Sequence, residues 1–200
     1  MIQHFYFRIM ASALLLMTFN VVAKGQESWS WAEPMFRHTE PLIMAITSKA
    51  VIEEYVPPLK DPNVEHYFPI PPTQFVRNWV RDRIRVMGGL HKLRLRIIDA
   101  SVVRQPLEVT KGWRAIFVND QSDKYTAKFT IRLEIQDNQS SNVVSWIEAK
   151  STYSKTVPES ASINERDQAY LELTEAAMAA LDLELEQQIM SHFSPYLIQQ

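Results

Sequence analysis

The segment from Lys124 to Gln136 constrains this chain most, because its apolar and polar residues alternate without a break. Side chains of a β-strand point alternately to its two faces, so this period is typical of a strand with one buried and one solvated face. We therefore predict a sheet built around this strand, with the helical tail of the chain covering its apolar side. The apolar residues are Tyr125, Ala127, Phe129, Ile131, Leu133 and Ile135.

Residues 1–23 have the form of a secretory signal peptide. A short region carrying Arg8 precedes an apolar run, Ile9–Val22, that is too short to cross a bilayer comfortably, and Val21 and Ala23 are small residues placed before a cut. We predict cleavage near Ala23 and a periplasmic or secreted protein. The alternative is an uncleaved segment that anchors the chain in the membrane.

We predict that residues 24–40 form a flexible arm and that residues 41–200 form one α+β domain. The hydrophobic content of 46% and the charged content of 22% are ordinary for a globular protein, and the net charge of −2 gives no reason to expect nucleic acid as a partner. The chain has no cysteine. Disulfides, thiolate metal sites, thiol nucleophiles and lipid attachment through cysteine are therefore all excluded.

The sequence of the first half of the domain predicts a strand, a helix and a second strand. Pro41–Val56 is rich in strand formers, and the proline-rich segment Pro57–Pro72 should run extended over the surface. A helix is predicted over Thr73–Met87, ended by Gly88 and Gly89, and a strand over His91–Gln105. Because a helix connects these two strands, we expect them to pair in parallel.

The second strand changes character near Ile97 and Ile98, where both faces become apolar. This pattern indicates either burial on two sides or a β-bulge. Trp113–Val118 is expected to be a short strand or a tucked loop.

The sequence of the second half of the domain predicts an antiparallel meander and a long helix. Short connections join the strand at Lys124–Gln136 to one at Val143–Val157. Ser162 and Glu165 form a capping box that opens a helix running to about Phe193. The predicted fold is thus a mostly antiparallel sheet in β-α-β-β-β-α order, with both helices on one face.

Two ionisable residues, Arg83 and Asp167, lie on otherwise apolar faces of the predicted helices. If both helices cover one face of the sheet, these side chains could form a buried ion pair. Arg83 could instead extend to solvent, or it could await an anionic ligand.

A basic patch is predicted on the polar side of the sheet, with Lys124 beside its five candidate binding residues. Such a patch could bind anionic lipid head groups or an acidic protein partner, although charged side chains are also common on any solvated strand. Glu134 and Glu148 dilute the positive charge. The candidate residues are Lys92, Arg94, Arg96, Lys128 and Arg132.

His66, beside Glu65, is the one histidine that we consider for catalysis. A lone surface histidine seldom has such a role. The other histidines show no metal-ligand spacing with acids, and no nucleophile elbow, phosphate-binding glycine loop or zinc-protease motif is present. We therefore predict no metal and no cofactor.

Four segments resemble an uncharacterised family of exported alphaproteobacterial proteins, namely EYVPPLKDPNVEHYFPIPP, DASV, DQSDKY and TVPESASINERD. This resemblance covers most of the chain after the signal and implies an exported domain, without implying any catalytic residue. The order of elements is also similar to that of the periplasmic domains of auxiliary lipoproteins of lipid-transporting ABC systems. The missing lipid-attachment cysteine departs from that second group.

The function that we predict is a non-enzymatic, exported accessory or binding module of the cell envelope. The alternative is a periplasmic hydrolase that uses His66 with carboxylate partners brought together by folding. Self-association is a third possibility, because the long helix should expose Leu183 and Met190.

Overall fold

The computed structural model describes residues 35–107 and 122–198. The predicted signal peptide, most of the predicted arm and the segment Trp113–Val118 lie outside these residues. Within them, four strands and two α-helices follow one another in the predicted order. Their bounds are Leu42–Glu53 (β1), Pro72–Arg83 (α1), Ile84–Leu107 (β2), Ser122–Asp137 (β3), Val143–Pro158 (β4) and Ile163–His192 (α2).

The four strands form one sheet in the order β1-β2-β3-β4. β1 and β2, which α1 connects, are parallel, whereas β2, β3 and β4 form an antiparallel meander. The predicted α+β class and the mostly antiparallel sheet are therefore confirmed. Neither helix in the described part of the chain has the length and hydropathy needed to span a bilayer.

The alternation in β3 builds the core, as the sequence predicts. All six of its apolar side chains are buried, together with those of the neighbouring strands on the same side of the sheet. Both helices cover this side: α1 packs on β1 and β2, α2 packs on β3 and β4, and the two helices contact each other. The opposite side of the sheet, which we call the outer face, carries the polar residues of β2, β3 and β4.

The capping box at the start of α2 is confirmed. The Ser162 hydroxyl accepts a hydrogen bond from the backbone N–H of Glu165, and the Glu165 carboxylate accepts one from the backbone N–H of Ser162. These bonds satisfy backbone donors that a helix start leaves unpaired, so the helix begins where the sequence predicts.

A β-bulge interrupts the pairing of β2 with β3 between Ile97 and Asp99, which settles the two alternatives left by the sequence. The bulge shifts the alternation by one residue, so Ala100 and Val102 face the core beyond it. The backbone N–H groups of Glu54 and Tyr55 both donate to the carbonyl oxygen of Ile97 at 3.0 Å, which ends β1 beside the bulge.

The predicted end of α1 is wrong. The helix ends at Arg83, because Ile84 and the residues after it pair with Leu42–Met44 of β1. Lys49 of β1 stabilises this end, since its ammonium donates to the carbonyl oxygens of Val80 at 2.7 Å and Ile84 at 2.6 Å. Burial lowers the pKa of Lys49, although the nearby carboxylate of Asp82 partly offsets this effect.

Gly88 and Gly89, predicted to end α1, instead lie inside β2, where the strand departs from its pairing with β1. Val86 pairs with Met44, but the next partner on β1, Ile46, pairs with His91. The backbone φ of Gly89 is +151°, and a Cβ there would lie 2.1 Å from the carbonyl oxygen of Ala45. The close approach of β1 therefore requires glycine at this position.

Candidate binding surface on the outer face

The register of the sheet brings the candidate basic residues onto the outer face. Arg94 lies opposite Glu134, and Glu134 lies opposite Trp146 on β4. In the next row Arg96, Arg132 and Glu148 lie side by side. Lys92 and Lys128 occupy the same face, opposite Gln136 and Ser101 respectively.

Glu134 joins two of the arginines. It is only 4% exposed, and it accepts from Arg94 Nε at 2.8 Å and from Arg96 Nη1 at 3.0 Å. Arg96 Nε also donates to Glu54 at 2.6 Å. Burial on its own would raise the pKa of Glu134, but the hydrogen bonds from Arg96 and Arg94 outweigh it, so the pKa lies below its ordinary value of 4.5.

We expect the stability that Glu134 contributes to be lost in acid. Because its pKa is lower in the folded chain than in the unfolded chain, its contribution is complete above about pH 4.5 and falls as the pH drops below that value. The difference in free energy of unfolding between wild type and Glu134→Gln should therefore be largest at neutral pH and narrow in acid. Urea denaturation at a series of pH values measures it, with the exposed Glu159→Gln as the matched control. A difference that stays constant or widens in acid would contradict this expectation.

Arg132 is held in a second cluster beside an exposed aromatic ring. Its Nη2 donates to Glu148 Oε2 at 2.7 Å, and Lys150 Nζ lies 3.2 Å from Glu148 Oε1. The hydrogen bond from Arg132, with a contribution from Lys150, lowers the pKa of Glu148. The Arg132 guanidinium lies 4.7 Å from the ring centroid of Trp146, within cation–π range. Trp146 is 58% exposed, so its ring faces solvent while it packs against an arginine that Glu148 holds in place.

Three of the five predicted binding residues, Arg94, Arg96 and Arg132, are paired with glutamates, and two of those glutamates are Glu134 and Glu148, which the sequence predicts to dilute the patch. Within the described residues, Lys92 makes a single hydrogen bond, to Ser141 Oγ at 3.3 Å. Lys128 forms no ion pair within the described residues. The arginines therefore order the surface, and lysines supply its excess of positive charge. The described part of this face carries eight basic residues, Arg85, Lys92, Arg94, Arg96, Lys124, Lys128, Arg132 and Lys150, and four acidic ones, Glu54, Asp99, Glu134 and Glu148.

Sequence reasoning did not identify Trp146 as part of this surface. The signal was present, because Ile147 and Ala149 alternate as core residues and so place Trp146 and Glu148 on the other side of β4. To predict that Trp146 stacks on Arg132, the register between β3 and β4 must be known. The alternation of apolar and polar residues within each strand does not give that register.

Arg83 is buried in an ion pair between the helices, but its predicted partner, Asp167, is wrong. Arg83 is 1% exposed, and its Nε donates to Asp182 Oδ1 at 2.8 Å and its Nη2 to Glu186 Oε2 at 2.5 Å. Its Nη1 donates to the carbonyl oxygen of Glu40. Asp167 lies about 22 Å nearer the start of α2 than Asp182, at 1.5 Å per residue, because α1 meets α2 in its second half. The network holds the two helices together, and Nε, Nη1 and Nη2 of Arg83 each donate to a protein oxygen.

The predicted catalytic partnership of His66 with carboxylates is not formed within the described residues. His66 is exposed and lies against the ring of Tyr67, with the ring centroids 4.0 Å apart. The adjacent Glu65 turns inward and accepts hydrogen bonds from Asn63 Nδ2 and the Val102 backbone N–H, both at 2.9 Å. Glu65 therefore fixes the proline-rich segment to β2, and its carboxylate is buried whereas His66 is exposed.

Two cavities lie elsewhere. One of about 240 Å³ lies between the start of β1 and the end of α2, and its lining includes Glu40, Leu42, Glu186 and Met190. A smaller one lies beneath Phe68 and Tyr170. Neither includes His66. The described residues contain no cluster of three or more histidine, cysteine or acidic side chains that could hold a metal ion.

No protein-family model matches the sequence, and a search of curated proteins finds no match. The likeness to exported alphaproteobacterial proteins therefore stays a prediction. Solved structures do align with the fold. The minor lipoprotein of Acinetobacter baumannii is 13% identical, with 72% of this chain and 92% of that chain covered and a TM-score of 0.38. The rare lipoprotein B of Shewanella oneidensis is 12% identical, with coverage of 72% and 96% and a TM-score of 0.39.

These structural neighbours are bacterial lipoproteins, as their descriptions state. At these identities and TM-scores, the likeness carries no information about the function of this chain.

Proposed function

We propose that this chain is an exported, non-enzymatic accessory module of the cell envelope that binds an acidic protein partner through the outer face. The observation that carries the proposal is the exposed ring of Trp146 stacked on Arg132, within a row of arginines ordered by glutamates. Tryptophan and arginine are enriched among residues that dominate the energy of protein interfaces. No secondary-structure element covers this face within the described residues.

The charge pattern favours a protein partner over an anionic lipid surface. Attraction to a lipid surface depends mainly on the net positive charge near it. Here the three arginines are compensated by Glu54, Glu134 and Glu148, so the excess charge is small and is supplied by lysines. A flat, mixed-charge face with an aromatic centre fits an acidic protein surface, whose charges can pair with the lysines at the rim.

The envelope location in this proposal rests on the N-terminal sequence. The region carrying Arg8, the apolar run Ile9–Val22 and the small residues Val21 and Ala23 support export. Because the chain has no cysteine, a lipid anchor on cysteine is excluded for the exported form.

Capture from an envelope extract on the immobilised protein tests the proposal. We expect Trp146→Ala to weaken retention of the captured partner by at least about tenfold, because a central interface aromatic is removed. Tyr153→Ala is the matched control, since Tyr153 is 46% exposed on the same strand but lies on the helix side, opposite Ala127. Equal loss with both variants, or no loss with either, would contradict binding through the outer face.

Vesicles separate the two kinds of anionic partner. We expect vesicles containing phosphatidylglycerol to retain the protein weakly, with no change on Trp146→Ala. Strong, salt-sensitive retention that is abolished by Lys124→Glu with Lys128→Glu would instead identify a lipid surface as the partner and would overturn the protein proposal.

A further inference from the structure

The outer edge of β4 is longer than the edge that β1 forms at the other side of the sheet. At the opposite edge, Leu197 bridges to Met44 of β1, and Asn63 of the proline-rich segment bridges to Val103 where β2 extends beyond β1. β4 is 16 residues long and ends the sheet, with no neighbouring strand in the described part of the chain. Natural proteins usually cover or interrupt such long edges, since unpaired backbone groups bind other strands.

The side chains of this edge strand are also unusually apolar for a solvated edge. The exposed large apolar side chains of β4 lie on both faces of the strand, so a neighbouring strand would shelter them on either side. They are Val143, Val144, Trp146 and Tyr153.

We propose that the edge of β4 pairs with the β4 strand of a second copy of this chain. The pairing is antiparallel, so it produces a two-fold symmetric dimer with a continuous eight-stranded sheet. The sequence predicts a different surface for self-association, the exposed side of α2 that carries Leu183 and Met190. The free edge of β4 is the better candidate, because backbone hydrogen bonds and side chains both contribute there.

Charge selects the register of this pairing. A two-fold axis through Ala149 places Glu148 of each copy opposite Lys150 of its partner on the outer face, so two opposite-charge pairs form. Moving the axis by one residue to Glu148 or Lys150 sets like charges directly opposite each other, which is unfavourable. The axis through Ala149 is thus the position at which the two charges that β4 carries on the outer face, Glu148 and Lys150, are self-complementary.

One side chain already touches this edge strand. Gln188 Nε2 of α2 donates to the carbonyl oxygen of Glu148 at 3.0 Å. A carbonyl oxygen has two lone pairs, so it can accept from Gln188 and from a partner strand together. The contact is therefore compatible with the proposed dimer.

Sedimentation velocity on the purified protein tests the dimer. We expect a concentration-dependent monomer–dimer equilibrium, and we expect Lys150→Glu to raise the dissociation constant about tenfold, because two attractive pairs become repulsive. Lys128→Glu is the matched control, with the same charge change on the same face but one strand in from the edge, opposite Thr152. A protein that stays monomeric at all concentrations, or an equal effect of both variants, would overturn the proposal.

The register can be tested by disulfide formation, since the chain has no cysteine of its own. The axis through Ala149 sets Trp146 opposite Thr152 of the partner, at a separation of about 5.5 Å between Cα atoms in a hydrogen-bonded pair. Mixing a Trp146→Cys protein with a Thr152→Cys protein under mild oxidation should give a mixed disulfide dimer. Neither variant alone should form one. Disulfide dimers from a single variant, or the absence of a mixed dimer, would overturn this register. The sedimentation and disulfide results do not depend on the proposed partner of the outer face.

Discussion

Arg83→Met should lower the free energy of unfolding by about 3–5 kcal/mol, because it leaves a buried carboxylate without its charge partner. Asp182 is buried and would keep only the hydrogen bond from Trp79 Nε1, at 2.7 Å. The carbonyl oxygen of Glu40 would also lose its donor. Denaturant unfolding of the wild type and the variant measures the loss.

A second substitution identifies the partner of Arg83. Adding Asp182→Asn removes the stranded charge, while the new amide oxygen can still accept from Trp79, so much of the loss should be recovered. Asp167→Asn is the matched control on the same helix, and its effect should simply add to that of Arg83→Met. Additive losses with Asp182→Asn, or recovery with Asp167→Asn, would contradict the ion pair seen between α1 and α2.

Gly89→Ala should lower the free energy of unfolding by about 2–4 kcal/mol, through backbone strain and a main-chain clash. The new Cβ would lie 2.1 Å from the Ala45 carbonyl oxygen, and neither group can move without disturbing the pairing of β1 with β2. Gly88→Ala is the matched control. Gly88 also has a positive φ, of +81°, but a Cβ there meets nothing within 4 Å, so the cost should be about 1 kcal/mol.

Thermal or urea unfolding of both glycine variants provides the comparison. If the two substitutions lower the free energy of unfolding equally, the close approach of β1 at Ala45 does not determine the loss. The positive φ that both glycines share would then account for it. If Gly89→Ala leaves the free energy of unfolding unchanged, the close approach of the β1 backbone to Gly89 is contradicted.

The local patterns of the sequence predicted much of this fold. The period of two in β3, the reciprocal bonds of Ser162 and Glu165, and the change of face near Ile97 each depend on a few neighbouring residues. Such features can be read directly from the chain. The end of α1 could not, because Gly88 and Gly89 are equally suited to a helix end and to a strand that passes close to another backbone.

The candidate site was predicted less completely, because its interactions are non-local. The pairing of Arg83 with Asp182 depends on where two helices cross, and Asp167 and Asp182 are indistinguishable as partners from residue type alone. The basic residues were placed on one face correctly, yet the role of Glu134 required the register between β2 and β3. Alternation assigns a face to each residue, but it does not say which charges touch.

The proposed binding at the outer face is tested most directly by a photo-crosslinking amino acid placed at single positions of the protein in the cells that produce it. Thr130 lies on the outer face, between Asp99 and Lys150, whereas Gln74 is an exposed residue of α1 on the other side of the sheet. We expect a protein adduct from position 130, lost on Trp146→Ala, and none from position 74. Adducts from position 74 alone, or equally from both, would contradict the outer face as the binding surface.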